Sequence, residues 1–432
     1  MITRRDLLFA VGAAAAFRNT ALSLLEKHVS RVVSDPNATA EDEDFWLGVR
    51  LAFSLDANLV NFNNGGCSPS PRVVAECLKR QIEFGNQGPS IYMWRQLEPE
   101  IETVRKRLAA LFGTDPEEIA ITRNASESLC TCLFNLPMGA GDEILTSSQD
   151  YPRMINAIKQ RVRREGIKMV QVDVPAAPKS HQEIVDAFAK GITPRTKIIL
   201  VSHVVFMTGA INPVREVCEL GKRHGIPVIV DGAHAFAQFP FTRDSLQCDY
   251  FGTSLHKWLM APIGTGLLYV RRPLIDGLWP LLPGSPGKKS DTPAGQDDDI
   301  RKFEEIGTHQ AAVHNAIGEA LTFHEMLGGE RKAARLRYLR SRWTDRLRDL
   351  KNVRFHTNLH EDFSCAFCTV EIEGIKVGDL AGWLETKHKI VVTGIEHPQF
   401  HGLRVSPQVY STIGEVDRFA EAMLTAATRG IS

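Results

Sequence analysis

Short apolar runs alternate with amphipathic stretches through the middle of this chain, and that alternation narrows the fold more than any other feature. The runs are Glu118–Thr122, Glu143–Ser147, Lys168–Val172, Lys197–Ser202, Pro227–Asp231, Asp249–Ser254 and Thr265–Val270. Each has the length and apolar content of a buried strand. Between them, Ser126–Asn135, Met154–Glu165 and Pro213–His224 carry apolar residues at helical spacing. Strands joined through helices return to the same end of a sheet and pair in parallel. The expectation is therefore an α/β large domain built on a mainly parallel seven-stranded sheet. Beyond Thr308 the pattern changes to a long helix, strands near Val353–Phe355 and Cys365–Ile372, and a last helix near Gly414–Ala427. That predicts a smaller α+β C-terminal domain.

The remaining segments set the expected boundaries. Residues 1–30 read as a leader, 31–70 as a segment packed on the small domain and the mouth of the active site, 71–300 as the large domain and 301–432 as the small one. Glu41-Asp42-Glu43-Asp44 suits a solvated helix start. The Pro-, Gly- and Asp-rich stretch Pro280–Asp299 suits a long mobile loop. In the leader, Thr3-Arg4-Arg5-Asp6-Leu7-Leu8-Phe9 precedes an alanine-rich apolar run to Phe17, the layout of an export signal. The paired arginines resemble a twin-arginine signal, which exports folded proteins to the periplasm. A short amphipathic helix on a cytoplasmic protein is the alternative.

Lys and Arg number 51 against 51 Asp and Glu, so no polyanion-binding surface and no nucleic-acid partner is expected. No internal run reaches the roughly 18 apolar residues of a membrane span. Cys77, Cys130, Cys132 and Cys218 fall in apolar helical patterns that suit core filling. Cys365 and Cys368 have CxxC spacing, but no second such pair completes a zinc site, and residues three apart on a strand point to opposite faces. No metal is expected.

The chemistry concentrates where one strand ends. Ile226-Pro227-Val228-Ile229-Val230 runs into Asp231-Gly232-Ala233-His234, and Ser254-Leu255-His256-Lys257-Trp258-Leu259 follows before the Gly264-Thr265-Gly266 turn. A carboxylate at a strand's C-terminal end and a lysine a short way on are what pyridoxal 5'-phosphate (PLP) requires. The lysine holds the cofactor as a Schiff base, and the aspartate keeps the pyridine nitrogen protonated so that the ring withdraws electrons. Burial beside His256 would lower the lysine's pKa far enough for it to attack an aldehyde. Asn124-Ala125-Ser126-Glu127 lies between a strand and a helix, where backbone amides and a hydroxyl can meet a phosphate. A plain helix cap is compatible with that reading.

These motifs resemble the class V aminotransferases of PLP fold type I, in the branch named for isopenicillin N epimerase. The likeness runs from about Asn61 to Phe419. It implies that Lys257 and Asp231 act as above, and that His234 reaches the phenolic oxygen or supports Asp231. It further implies that Ala125, Ser126, Ser254 and His256 hold the phosphate and that Tyr151 covers the ring. Arg404 would grip a substrate carboxylate, and Asn64, in Asn63-Asn64-Gly65-Gly66-Cys67, would border the substrate. Gly307-Thr308 matches a pair that reaches the phosphate of the partner subunit, so a homodimer with a shared active site is expected, with Trp94-Arg95 near its mouth. In two places the chain departs from its relatives. Phe206 stands where an Asn or Ser commonly meets the phenolic oxygen, and Val391–Arg404 holds no cysteine where desulfurases carry a persulfide nucleophile.

The implied activity is PLP chemistry at the Cα of a small amino-acid or peptidyl substrate: transamination, epimerisation, or decarboxylative or oxidative modification. Exported members of this branch are similar to periplasmic enzymes that tailor pyoverdine siderophores. A PLP-dependent C–S lyase and a non-catalytic binder of the same fold remain the alternatives.

Overall fold

The computed structural model describes residues 35–282 and 298–431. The leader up to residue 30, and most of the Pro280–Asp299 stretch, lie outside the described residues. Seven strands form the central sheet: β2 (Ile119–Thr122), β3 (Glu143–Ser147), β4 (Lys168–Val172), β5 (Thr196–Ser202), β6 (Val228–Asp231), β7 (Tyr250–Ser254) and β8 (Gly266–Val270). Their spatial order is β2-β8-β7-β6-β5-β3-β4. The β3–β4, β3–β5, β5–β6 and β6–β7 pairs are parallel, as the helical crossovers require. Strand β8 runs antiparallel to both of its neighbours. The reason is local: β7 passes to β8 through a loop without a crossover helix, and that loop carries Lys257.

The sheet is buried on both faces, and its alternation shows in which core each residue joins. Ile199, Val201, Val228 and Val230 pack into one apolar cluster, while Ile198, Leu200 and Ile229 pack into the other. Continuous apolar strands are the sequence trace of that arrangement.

A second sheet lies in the C-terminal part, with β12 (Thr393–His397), β13 (Phe400–Val405), β10 (Cys368–Ile372) and β9 (Val353–Phe355) paired antiparallel in that order. Trp343 and Phe419 meet edge to face beneath it, 5.2 Å between centroids. The hairpin β12–β13 was not foreseen. Its first strand is only partly buried, so the apolar signal is too thin to read. Strands β1 (Val60–Asn61) and β11 (Ile390–Val391) add a short parallel pair, and an isolated bridge joins Asn63 to Ser406. The chain before the large domain is thus bonded to the chain after it.

The acidic run at 41–44 needs a correction. Glu41, Asp42 and Asp44 are exposed, and Asp42 caps the helix Glu43–Arg50 by accepting from the Phe45 N–H at 3.1 Å. Glu43 is not solvated in the same way, because it pairs with Arg335, which is wholly buried. That guanidinium also lies over the Trp46 ring, 5.3 Å from its centroid. An apolar pocket around Phe45 and Trp46 leaves the arginine no water, so a carboxylate must come to it. All eight cysteines are unpaired, and Cys365 and Cys368 are buried. Among the described residues no helix is long and apolar enough to cross a membrane.

Candidate active site

Register brings the C-terminal ends of three strands together. Ser202 of β5 sits opposite Asp231 of β6, and Asp231 sits opposite Gly252 of β7. This edge is where ligands bind in open parallel sheets. Gly232 follows because nothing larger fits: a Cβ there would overlap the Phe251 ring.

Asp231 is buried, and burial pushes its carboxyl up to about 6 against the opposing pull of the Ala233 N–H and the Lys257 ammonium. The Ala233 N–H donates to it at 2.9 Å. Lys257 moves the other way. Burial lowers its amine to about 8, although Asp231 favours the charged form. Its Nζ lies 3.1 Å from His234 Nε2. Burial, and then the cations Lys257 and Arg404, hold His234 well below its ordinary pKa. A neutral imidazole that accepts from the lysine at Nε2 carries its proton at Nδ1, and that atom is buried without a partner among the described residues.

The helix Ala125–Asn135 starts beside this trio. Asn124 caps it by accepting from the Glu127 N–H at 3.0 Å, and the Ala125 N–H donates to Ser254 Oγ at 2.9 Å. The Ala125 amide is therefore committed within the protein rather than open to an anion. Ser254 has its own hydroxyl proton left to give, and the Ser126 N–H has no acceptor among the described residues. An anion at this helix end can be met by the Ser126 amide and by the two hydroxyls. His256 Nδ1 lies 3.2 Å from the Thr265 carbonyl, and burial and Lys257 lower its pKa. Its outer nitrogen is then unprotonated and meets an anion only when the ring is charged.

Arg404 projects from β13, opposite Thr369 and Thr393. It is buried and has no carboxylate partner among the described residues. Its Nη1 donates to the Phe206 carbonyl at 2.9 Å and its Nη2 to Asn63 Oδ1 at 2.8 Å. Burial lowers it to about 10, and its Nε has no partner among the described residues. A desolvated guanidinium held by neutral oxygens is an anion receptor, because its charge is oriented but not neutralised. Phe206 thus serves through its backbone oxygen, while its ring packs edge-on against Tyr151, 5.2 Å between centroids. Tyr151 is half-buried at the start of the helix Pro152–Glu165.

Asn64 sits differently from its neighbour. It is fully buried, donates to the Asn61 and Ser406 carbonyls at 2.8 and 3.0 Å, and accepts from the Tyr410 hydroxyl at 2.5 Å. Its amide is spent on the frame, and Asn63 is the one that touches Arg404. Gly65 lies between the two functional groups. A Cβ there would come within 3.3 Å of His234 Cε1 and 3.5 Å of Arg404 Cζ. Thr308 and Trp94 are exposed, and the turn at Gly307 closes on itself through its N–H to Glu305 at 2.8 Å. Neither residue joins the Lys257 cluster within this chain.

Sequence reasoning passed over Asp150. It is buried and accepts from Thr146 Oγ1 (2.6 Å), the Ser147 N–H (2.8 Å), the Ser202 N–H (3.1 Å) and Ser202 Oγ (2.6 Å). It ties the ends of β3 and β5 together beneath the site, and its charge helps push Asp231 up. Its position next to Tyr151 was the available signal.

A large domain with Asp231 and Lys257 at the sheet's carboxyl edge, and an arginine supplied from the second sheet, defines a PLP enzyme of fold type I. The chain belongs to the aminotransferase class-V family, whose model matches residues 60–419. Isopenicillin N epimerase of Amycolatopsis lactamdurans is 31% identical over 391 residues, spanning 88% of this chain and 98% of that protein. Hercynylcysteine sulfoxide lyase of Schizosaccharomyces pombe is 25% identical over 296 residues, 68% of this chain and 75% of that one. Among solved structures, a mutant of C-DES with glycine covalently linked to its PLP cofactor superposes with a TM-score of 0.78 at 23% identity. It covers 86% of this chain and 98% of its own, and supports the fold. The protein is thus a PLP-dependent enzyme of class V. An orphaned imidazole proton, an open helix amide and an uncompensated guanidinium around one buried lysine all suit that cofactor and an anionic substrate.

Proposed function

We propose that the enzyme moves the Cα proton of an amino-acid or peptidyl amino substrate, with Lys257 as the covalent anchor of PLP and the proton carrier. The observation that carries this reading is the 3.1 Å contact between Lys257 Nζ and a neutral His234, with the amine lowered to about 8. An amine of that strength exchanges protons near neutral pH. When bound, PLP supplies an electron-withdrawing ring that makes a substrate Cα bond labile. Asp231 would hold the proton on the pyridine nitrogen. His234 would meet the phenolic oxygen, a task Phe206 leaves to it. Ser126, Ser254 and a charged His256 would hold the phosphate, and Tyr151 would shield the site from water. Arg404 would orient the substrate carboxylate. The likeness to an epimerase supports proton transfer over carboxylate loss.

The test is solvent exchange. The holoenzyme is incubated in deuterium oxide with a panel of amino acids and amino-terminal peptides while oxygen is recorded. Deuterium at Cα is the expected result. Carbon dioxide release or oxygen uptake without exchange would replace proton transfer with a decarboxylative or oxidative reaction. The resemblance to hercynylcysteine sulfoxide lyase favours one second reading, a C–S lyase working without an enzyme persulfide, and pyruvate release from a cysteine conjugate would select it.

Two features of the whole protein belong to the same proposal. The chain acts as a homodimer in which the exposed Thr308 completes the partner's phosphate site. The Arg4-Arg5 leader directs export to the periplasm, where the siderophore-tailoring reaction is the specific candidate. A reporter fused to residues 1–40 should be exported, and should stay inside when both arginines become lysine.

A further inference from the structure

Behind the Lys257 loop lies a lysine that the proposed chemistry does not use. Lys332 sits on the helix Gly329–Thr344 with no solvent exposure, and its Nζ donates to the Trp258 carbonyl. No carboxylate pairs with it among the described residues. The groups facing it are the buried Cys365 thiol and His324; the His324 Nδ1 and the Trp258 Nε1 are buried and have no partner among the described residues. Burial lowers Lys332 to about 7. Placing an ammonium among Phe323, Leu336 and Trp258 is costly, and an apolar side chain of the same volume would fit that environment better.

What the lysine gains is a hold on one loop. The segment between β7 and β8 has no helix or ladder of its own, and Met260 within it has a left-handed backbone, φ 60°. Donors from outside fix its carbonyls. The Ser68 N–H donates to His256 at 3.0 Å, Ser70 Oγ to Ala261 at 3.0 Å, and Lys332 to Trp258. Of the three, only Lys332 brings a charge, and it takes the carbonyl of the residue directly after Lys257.

We propose that Lys332 is a positioning residue for Lys257, clamping the loop through the Trp258 carbonyl so that the Lys257 amine is presented at a fixed angle. This rests on Lys257 being the cofactor lysine. A buried ammonium spent on the carbonyl of the residue directly after Lys257, with no carboxylate beside it among the described residues, is what marks the contact as positional.

The experiment mixes the apoprotein with PLP and follows growth of the visible band over a range of PLP concentrations. Lys332→Met should lower the saturating rate about tenfold, the scale of a small misplacement of a reacting group. The half-saturating concentration and Tm should hold. Lys332→Gln, which keeps a donor, should recover part of the rate. A wild-type rate for Lys332→Met, or a loss in both variants matched by an equal fall in Tm, overturns the proposal. Should Lys332→Met not fold, Lys332→Gln decides: a saturating rate below wild type with Tm unchanged supports the clamp, and a wild-type rate overturns it. If Lys257→Ala keeps the visible band, the underlying assignment has failed instead.

Discussion

Two sets of buried arginines in this molecule are treated in opposite ways. Arg105 and Arg301 sit near the start of the central sheet, each surrounded by carboxylates. Arg105 meets Glu102 and Glu304, and Arg301 meets Glu102, Glu117 and Asp299. The ion partners outweigh burial and push both guanidinium pKa values up, and Glu102 is drawn down to about 2. Arg404 is as deeply buried but is held only by neutral oxygens, and its pKa falls. At Arg105 and Arg301 the counter-charge is built into the fold. At Arg404, on the proposal above, it is left for the substrate to bring. Lys257, lowered for the same reason, belongs with Arg404.

That contrast can be broken by mutation. The largest effect is expected at Lys257→Ala, which should remove the visible band and at least three orders of magnitude of turnover, as loss of a nucleophile does (about 10³ or more). Retention of the band in the purified variant would overturn the assignment. Next comes Arg105→Met, which strands Glu304, while Glu102 keeps Arg301, and should cost about 3–5 kcal/mol of stability in urea unfolding. Arg404→Met should do the reverse, leaving Tm within a few degrees while raising KM for a carboxylate substrate by about 2–4 kcal/mol in apparent binding. If Arg404→Met unfolds the protein and Arg105→Met does not, the division between structural and functional cations is wrong.

Titration sharpens the same contrast. Lys257 is depressed to about 8 from an ordinary 10.5. Between those values the unfolded chain binds the proton and the folded apoprotein does not, so folding stability should rise with pH across that window. Asp231 is raised to about 6 from 3.8, so its contribution is present at low pH and is lost as pH climbs toward 6. The buried His203, His234, His314 and His324 are lowered and pull the opposite way on the acid side, so the Asp231 share is read as a difference. Between pH 4 and 6 the urea midpoint of the wild-type apoprotein should fall relative to that of Asp231→Asn, and a constant difference would mean that the carboxyl is not desolvated.

How much of this the chain discloses depends on the length scale of each signal. The central sheet was legible because β5, β6 and β7 are buried on both faces and read as unbroken apolar runs. Asp231 and Lys257 were legible because strand, turn and lysine are close in sequence. Arg404 could be named only by resemblance, since its strand pairs with the half-exposed β12, whose apolar pattern is weak. Asn63 and Asn64 could not be told apart. Adjacent residues of one type differ only in direction, and direction is set by the Asn63–Ser406 bridge across the fold. Lys332 gave no signal either: a lysine on a helix reads as solvated until the helix Gly329–Thr344 is packed against the Trp258 loop.

The smallest effect separates two serines that the sequence groups together. Ser254 Oγ accepts from the Ala125 amide, so its loss leaves a buried donor unmet as well as removing the proposed phosphate contact. Ser126 makes no bond that the fold depends on, and its N–H stays in place when the hydroxyl is removed. Ser126→Ala should therefore weaken PLP binding by about 0.5–1.5 kcal/mol, with Tm of the apoprotein unchanged. Ser254→Ala should show a similar loss of affinity plus about 1–3 kcal/mol of apoprotein stability. Equal stability losses in the two variants would mean that the Ala125 amide finds another acceptor, and that the helix end is less committed than its hydrogen bonds indicate.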